Sequence, residues 1–316
     1  MPTSSTDCIV CGTCVADILV KPVGLTVPIG GGKLFHVDPI DVTTGGIVCN
    51  SGIAMRRLGM RVAAASLVGD DLWGSVVQSR LAAEGIETAA VESHAALATS
   101  TTAVLIDASG ERSFAHHVGA PQAIDLAFIR RRAADFAASR LALVGYFGLL
   151  PGLEPDLAAA LAAVKATGCQ VALETGGSGG ALAALAPALP HIDLYVPSLD
   201  EAEHQTGLSN PREIIACYRR HGAGGIVGVK LGSRGALLSG SAGEYLDIPC
   251  VPAPGPVADT TGAGDSFLAG LITGILRGIP LADAGRLGAA TAACCVTGVG
   301  ATAGLRSLDE TLALLQ

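Results

Sequence analysis

From about residue 50 onward, apolar runs suited to buried strands alternate with segments of helical spacing. No other feature constrains the fold as tightly. Residues 51–58 are helical in pattern, and 61–68 form an apolar run of the kind a buried strand needs. Residues 71–84 read as an amphipathic helix stopped by Gly85, and 154–167 as an alanine-rich helix closed by Gly168. Residues 169–173, 193–196, 225–231 and 236–238 supply further strands. Strands alternating with helices predict an α/β fold: a mostly parallel sheet covered on both faces. Ligands in such folds gather beyond the carboxyl ends of the strands.

Two stretches break the rhythm. Residues 15–44 hold strand-like pieces and turns (Pro22, Pro28, Gly30, Gly31 and Gly32) but no helix. Residues 102–106 and 112–116 flank Ala108-Ser109-Gly110, which predicts a hairpin. The two stretches are expected to pair into a small β layer projecting from the main domain. The glycine cluster at 176–180 reads as a loop after a strand.

Composition excludes several classes. Half of the 316 residues are hydrophobic, ample for a core and incompatible with a disordered chain. A formal charge of −8 argues against nucleic-acid partners, which demand basic surface. The one basic run, Arg130-Arg131-Arg132, reads as the solvated face of a helix. Residues 287–305 are uncharged and nearly long enough to span a bilayer. They contain Gly288, Gly298, Gly300 and Gly304, however, and read as a buried helix running into a glycine loop. No basic region precedes an apolar segment at the N-terminus, so the expectation is a cytoplasmic protein without a signal peptide. Nine cysteines, an odd number, are then reduced thiols. Cys8, Cys11 and Cys14 lack the fourth Cys of an iron–sulfur run, that position being Ile18. On a strand, Cys11 faces away from Cys8 and Cys14, so all three read as core residues.

The segment with most chemistry is Asp259-Thr260-Thr261-Gly262-Ala263-Gly264-Asp265-Ser266, which opens a helix running to about Leu276. The first turn of a helix offers unpaired N–H groups and partial positive charge, suited to a phosphate. Gly262, Ala263 and Gly264 let that phosphate approach the backbone. Asp265, in the same turn, is close enough to take a proton from an attacking hydroxyl. A lone Asp there would only offset the helix dipole, worth about 0.3–1 kcal/mol; the glycine frame points to a site.

This string resembles, at every position, the C-terminal signature of the ribokinase-like (PfkB-type) carbohydrate kinase family. The N-terminal signature is recognisable in Gly45-Gly46, Asn50, Gly59 and Gly69, followed by Asp70-Asp71. Two positions depart from it: Val48, where a smaller residue is usual, and Gly52, where Ser, Thr or Ala is expected. The two signatures lie more than 200 residues apart, so the resemblance covers nearly the whole chain. It implies a ribokinase-like three-layer sandwich over residues 1–14, 45–97 and 120–316, and a small β-sheet lid over 15–44 and 98–119.

The resemblance also implies roles. Asp265 matches the catalytic base, and Gly262, Ala263 and Gly264 the anion hole for the γ-phosphate of ATP. Asp17, Gly45, Gly46 and Asn50 match positions that bond to sugar hydroxyls. Taken alone, Gly45-Gly46 is a plain strand-to-helix turn and Asn50 an ordinary helix N-cap. Lys230, Gly232 and Gly235 resemble the strand–turn–strand lining the nucleotide pocket; on residues alone they are a simple turn. Ser198-Leu199-Asp200-Glu201 aligns with an Asn-x-x-Glu motif whose Glu helps organise Mg²⁺ and phosphates, with Ser198 where Asn is typical. Ser-x-x-Glu is equally a capping box. Asp259, Thr261 and Gly300 correspond to a monovalent-cation (K⁺) site in many relatives.

The implied activity is ATP-dependent phosphorylation of a hydroxymethyl group on a small sugar. The same fold holds nucleoside kinases, for which Phe35, Phe114, Tyr146 or Phe147 could stack a base. It also admits non-catalytic sugar-binding paralogues, against which the intact Asp265 argues. A phosphorylated acceptor would call for basic residues near the sugar positions, where Lys21, Lys33 and Arg112 are the candidates. No G-x4-G-K-[ST] loop is present. His116-His117 read as surface or substrate-rim histidines. Apolar alternation in Val104, Ile106 and Phe114 makes a self-pairing lid, and so a homodimer, the expected assembly.

Overall fold

The computed structural model describes residues 5–25, 32, 34–177 and 179–316. The turn residues Pro28, Gly30 and Gly31, together with Lys33 and Ser178, lie outside them. The described strands are β1 (Thr6–Gly12), β2 (Val15–Val20), β3 (Asp41–Gly45), β4 (Val62–Gly69), β5 (Glu87–His94), β6 (Thr101–Ile106), β7 (Arg112–His117), β8 (Ser139–Gly145), β9 (Gln170–Glu174), β10 (Leu194–Tyr195), β11 (Ile226–Lys230), β12 (Ala236–Ser239) and β13 (Tyr245–Ile248). They fall into two sheets.

The larger sheet runs β13-β12-β11-β10-β9-β8-β1-β4-β5. Every pairing from β11 to β5 is parallel, and β12 and β13 close the edge antiparallel. Its strands bury both faces, which is why they read as near-continuous apolar runs. One face carries the helices Gly46–Arg57, Leu72–Ala83, Ala263–Leu276 and Leu281–Cys295. The other carries Leu126–Arg131, Leu157–Ala166, Leu199–Thr206 and Pro211–Arg220. The cysteines lie in the core as expected: strand alternation puts Cys8 in the first core layer and Cys11 in the second, and Cys14, just past β1, joins the first.

The smaller sheet runs β3-β2-β6-β7, with β2 and β6 parallel and the other pairs antiparallel. Its register sets Thr43, Asp17, Thr102 and His116 side by side across all four strands. Two residues further along lies a second row, Leu19, Val104 and Phe114. Residues two apart on a strand share a face, so one face of this sheet carries a polar row and an apolar row.

The order of the large sheet reverses at β1, which is flanked by β4 on one side and β8 on the other. Ligand crevices form at such a switch point. Among the described residues no helix is long and apolar enough to cross a membrane. The uncharged stretch is the second half of the helix Leu281–Cys295 followed by a loop. In the basic run Arg130 and Arg131 are exposed, as expected of a solvated face, and Arg131 and Arg132 also bond to Glu92 on β5.

Candidate active site

The helix Ala263–Leu276 starts from Gly262, whose φ of 76° is left-handed. A Cβ there would sit 2.4 Å from that of Ala301, so only glycine fits the turn. The helix presents its first N–H groups at the crevice, with Asp265 in its opening turn. Asp265 is 5% exposed. Its Oδ2 accepts hydrogen bonds from Asn50 Nδ2 at 2.8 Å and from the Tyr146 hydroxyl at 2.6 Å. Oδ1 is left without a donor among the described residues. Burial pushes the Asp265 carboxyl above the usual range, while the bonds from Tyr146 and Asn50 and the charge of Lys230 pull it back.

Asn50 comes from a second helix, Gly46–Arg57, which begins five residues earlier than its sequence pattern predicts. Its N-cap is Gly45, so Asn50 lies one turn inside and is not a cap. Gly46 has φ 79°, and a Cβ on it would lie 2.6 Å from the Thr13 carbonyl oxygen. That close approach brings the helix start against the end of β1. Ser51 Oγ donates to the Asp265 carbonyl at 3.1 Å and locks the two helix starts together.

Two cavities flank this point, the first lined by Asn50 and Tyr146 and the second by Ala263 and Gly264. One, of about 300 Å³, lies between the small sheet and the large one and is lined by Asp17, Thr44, Gly45, Gly46, Asn50 and Tyr146. Both rows of the small sheet face it, so His116 is a rim residue, bonded through Nδ1 to Thr102 Oγ1 at 3.0 Å. Burial raises the Asp17 carboxyl, opposed by a hydrogen bond from Thr102 and the nearby His116. Three polar atoms lining this cavity, Thr13 Oγ1, Thr44 Oγ1 and Asn50 Oδ1, are buried with no hydrogen-bond partner. Such groups are costly unless a ligand or water satisfies them, and a polyol can.

The second cavity, of about 400 Å³, is lined by Lys230, Gly232, Gly235, Ala263 and Gly264, and by apolar side chains including Val251. Gly264 lies next to the Lys230 ammonium: a Cβ there would be 3.3 Å from Nζ. Lys230 forms a buried ion pair with Glu174 at 2.7 Å. Burial pushes the Glu174 carboxyl up to about 7 against the pull of Lys230, and its Oε2 has no partner. An apolar slot ending at a lysine and a helix N-terminus suits a nucleotide: base in the slot, phosphates at the turn.

The other expected residues are placed as follows. Ser198 and Glu201 form the capping box, Glu201 Oε2 accepting the Ser198 N–H at 2.7 Å and its hydroxyl at 2.8 Å. No cluster of three or more metal-ligating side chains occurs among the described residues. Asp259 binds the N–H of Thr261 and of Gly300, and the guanidinium of Arg112. Burial pushes its carboxyl up, but these partners outweigh it and hold the group below the usual range.

Of the aromatic residues, Phe147 is fully buried in the core and has no access to a ligand. Phe114 is 61% exposed and lines the first cavity. Tyr146 is the surprise. The sequence offers its ring for stacking, whereas the structure puts its hydroxyl on Asp265, from a backbone at φ 58°. Glu174 also escapes sequence reading, because its partner Lys230 lies 56 residues away.

The sequence matches the pfkB family carbohydrate kinase model over residues 5–308. A ribokinase of Haemophilus influenzae is 30% identical over 319 aligned residues, which cover 97% of each chain. The structure of Arabidopsis thaliana ribokinase complexed with ribose and ATP superposes with a TM-score of 0.83 at 24% identity, covering 98% of this chain and 99% of that one. A putative ribokinase II from Escherichia coli, in complex with ATP and Mg²⁺, superposes with a TM-score of 0.84 at 22% identity over the same shares. These two likenesses show the ribokinase-like fold. Because the family match extends over nearly the full length, the chain belongs to the pfkB family of carbohydrate kinases.

Proposed function

We propose that this kinase transfers the γ-phosphoryl group of ATP to a hydroxymethyl group of a small sugar. The observation that carries the reading is the place of Asp265 in the first turn of a helix, bonded to Asn50 and Tyr146 of the first cavity and next to Gly264 of the second. The sugar occupies the first cavity, under the small sheet acting as a lid. Thr13, Thr44 and Asn50 there offer unpaired buried acceptors to hydroxyl groups. ATP occupies the second, with Lys230, Gly232 and Gly235 along it. Glu201 would help to organise Mg²⁺, which when bound would supply countercharge to the phosphates. Asp265 Oδ1 takes the proton of the attacking hydroxyl while Tyr146 and Asn50 hold Oδ2 in place. The N–H groups of Gly262 and Gly264 meet the charge that develops on the transferring group, while that of Ala263 donates to the Thr260 carbonyl at 3.2 Å.

A screen of ATP consumption over free sugars, sugar acids and nucleosides tests this. Activity should appear with a polyol carrying a free hydroxymethyl group. Turnover of nucleosides alone would favour a nucleoside kinase, with Phe114 as the ring at the rim.

Asp17 tests the acceptor side. It can accept from hydroxyls that Asn50 and the threonines also contact, which suits a vicinal diol. Asp17→Ala should raise the acceptor KM strongly while leaving the KM for ATP nearly unchanged. A deoxy analogue lacking the contacted hydroxyl should lose little more in that variant. Equal weakening of both substrates would make Asp17 structural.

Tyr146 tests the base. Asp265 must be unprotonated to accept a proton, so turnover falls as pH drops through its folded pKa. The Tyr146 hydroxyl is one of the groups holding that pKa down. Tyr146→Phe removes the pull, so the acid limb of the kcat profile should move to higher pH. An unmoved limb would show that the phenol does not bias the carboxylate.

A further inference from the structure

Arg112 stands at the start of β7 on the small sheet, yet its guanidinium reaches the loop that precedes the helix Ala263–Leu276. Nη2 lies 2.7 Å from Asp259 Oδ2, and Nη1 donates to Thr261 Oγ1 at 2.9 Å. The remaining sites on Asp259 are also taken: Oδ2 accepts the Gly300 N–H at 2.5 Å and Oδ1 the Thr261 N–H at 2.9 Å. The carboxylate side chain is 4% exposed and that of Arg112 16%. Two backbone carbonyls in the same place are met as well, since the Cys295 thiol donates to those of Thr261 at 3.5 Å and Ala301 at 3.2 Å.

A carboxylate so enclosed requires a positive charge beside it. The family resemblance implies a monovalent cation as the source of that charge, at the positions of Asp259, Thr261 and Gly300. Here those side chains already face a fixed guanidinium and N–H donors, so they do not fit a metal ion. We propose that Arg112 stands in place of the monovalent cation, ordering the phosphate-binding loop from the lid. The inference rests on the reading that residues 262–264 hold the transferring phosphate. It has two consequences: the kinase needs no potassium, and the loop is ordered only while the lid is down.

The test compares the wild-type protein in KCl and in choline chloride at equal ionic strength, with K⁺ itself as the probe. Thermal midpoint and turnover should be the same in both. Arg112→Met should have a lower midpoint in choline chloride and regain part of it selectively in KCl, the vacated position now admitting the ion. Its kcat should fall by about 10²-fold, as for a displaced catalytic loop, with K⁺ restoring part of the rate. Arg112→Lys keeps the charge without the fork, so it should lose less and remain indifferent to K⁺. A wild-type protein stabilised by K⁺ over choline overturns the proposal, as does an Arg112→Met variant that K⁺ does not selectively recover. The thermal readings need no turnover, so they decide the question even if no acceptor is phosphorylated.

Discussion

Asp265→Asn should fold, bind ATP, and turn over about 10²–10⁴ times more slowly than the wild type, the usual worth of a positioned general base. The structure explains why this substitution is clean. Asp265 accepts both of its side-chain hydrogen bonds on one oxygen, from Asn50 and Tyr146. An asparagine can turn its own oxygen to the same two donors, keeping the shape and the bonds. Its NH₂ group then occupies the position of Oδ1 and can donate but not accept a proton. The loss should therefore fall on kcat. Near-normal turnover would remove Asp265 from the reaction.

The second large effect concerns stability. Lys230 and Glu174 form an ion pair with side chains only 10% and 5% exposed. Breaking such a pair from one side leaves a buried charge without compensation, at a cost of about 3–5 kcal/mol. Lys230→Met should lose about that much in urea unfolding. The loss should depend on pH in a definite direction. Burial already raises the Glu174 carboxyl to about 7, and Lys230 is the group opposing the rise. Without Lys230 the folded protein favours the protonated acid, so the penalty shrinks as pH falls and grows as it rises. Lys230→Met with Glu174→Gln removes both charges and should recover most of the stability. A single variant as stable as the wild type at mildly alkaline pH would show that water reaches the pair.

What the sequence revealed and what it hid differ by the range of the interactions. Gly85 and Gly168 were readable as helix stops because their left-handed backbones, at φ 73° and 88°, serve their own helix ends. The opposite facing of Cys8 and Cys11 followed from alternation within β1 alone. β8 was hidden because only Ala138 separates it from the helix Ala133–Ala137, with no Gly or Pro to mark the change. β5 was hidden because, as an edge strand, it carries polar residues at both ends of its run. The family resemblance singles out Asp265, Asp17, Asn50 and Lys230, of which Asp17 and Asn50 line the first cavity and Lys230 the second. Their partners are another matter. Asp265 meets Asn50 and Tyr146 across 215 and 119 residues, and Arg112 meets Thr261 across 149. No local pattern encodes those pairings; only the folded sheets bring them together.

The most direct measurement is proton-coupled ³¹P NMR of the product formed from ATP, Mg²⁺ and the best acceptor of the screen, with wild-type protein and with Asp265→Asn in parallel. Transfer to a hydroxymethyl group gives a phosphomonoester signal split into a triplet by the two neighbouring hydrogens. The account predicts that triplet for the wild type, and almost none for the variant over the same time. A doublet from a secondary hydroxyl, inorganic phosphate as the sole product, or equal yields from the two proteins would contradict it.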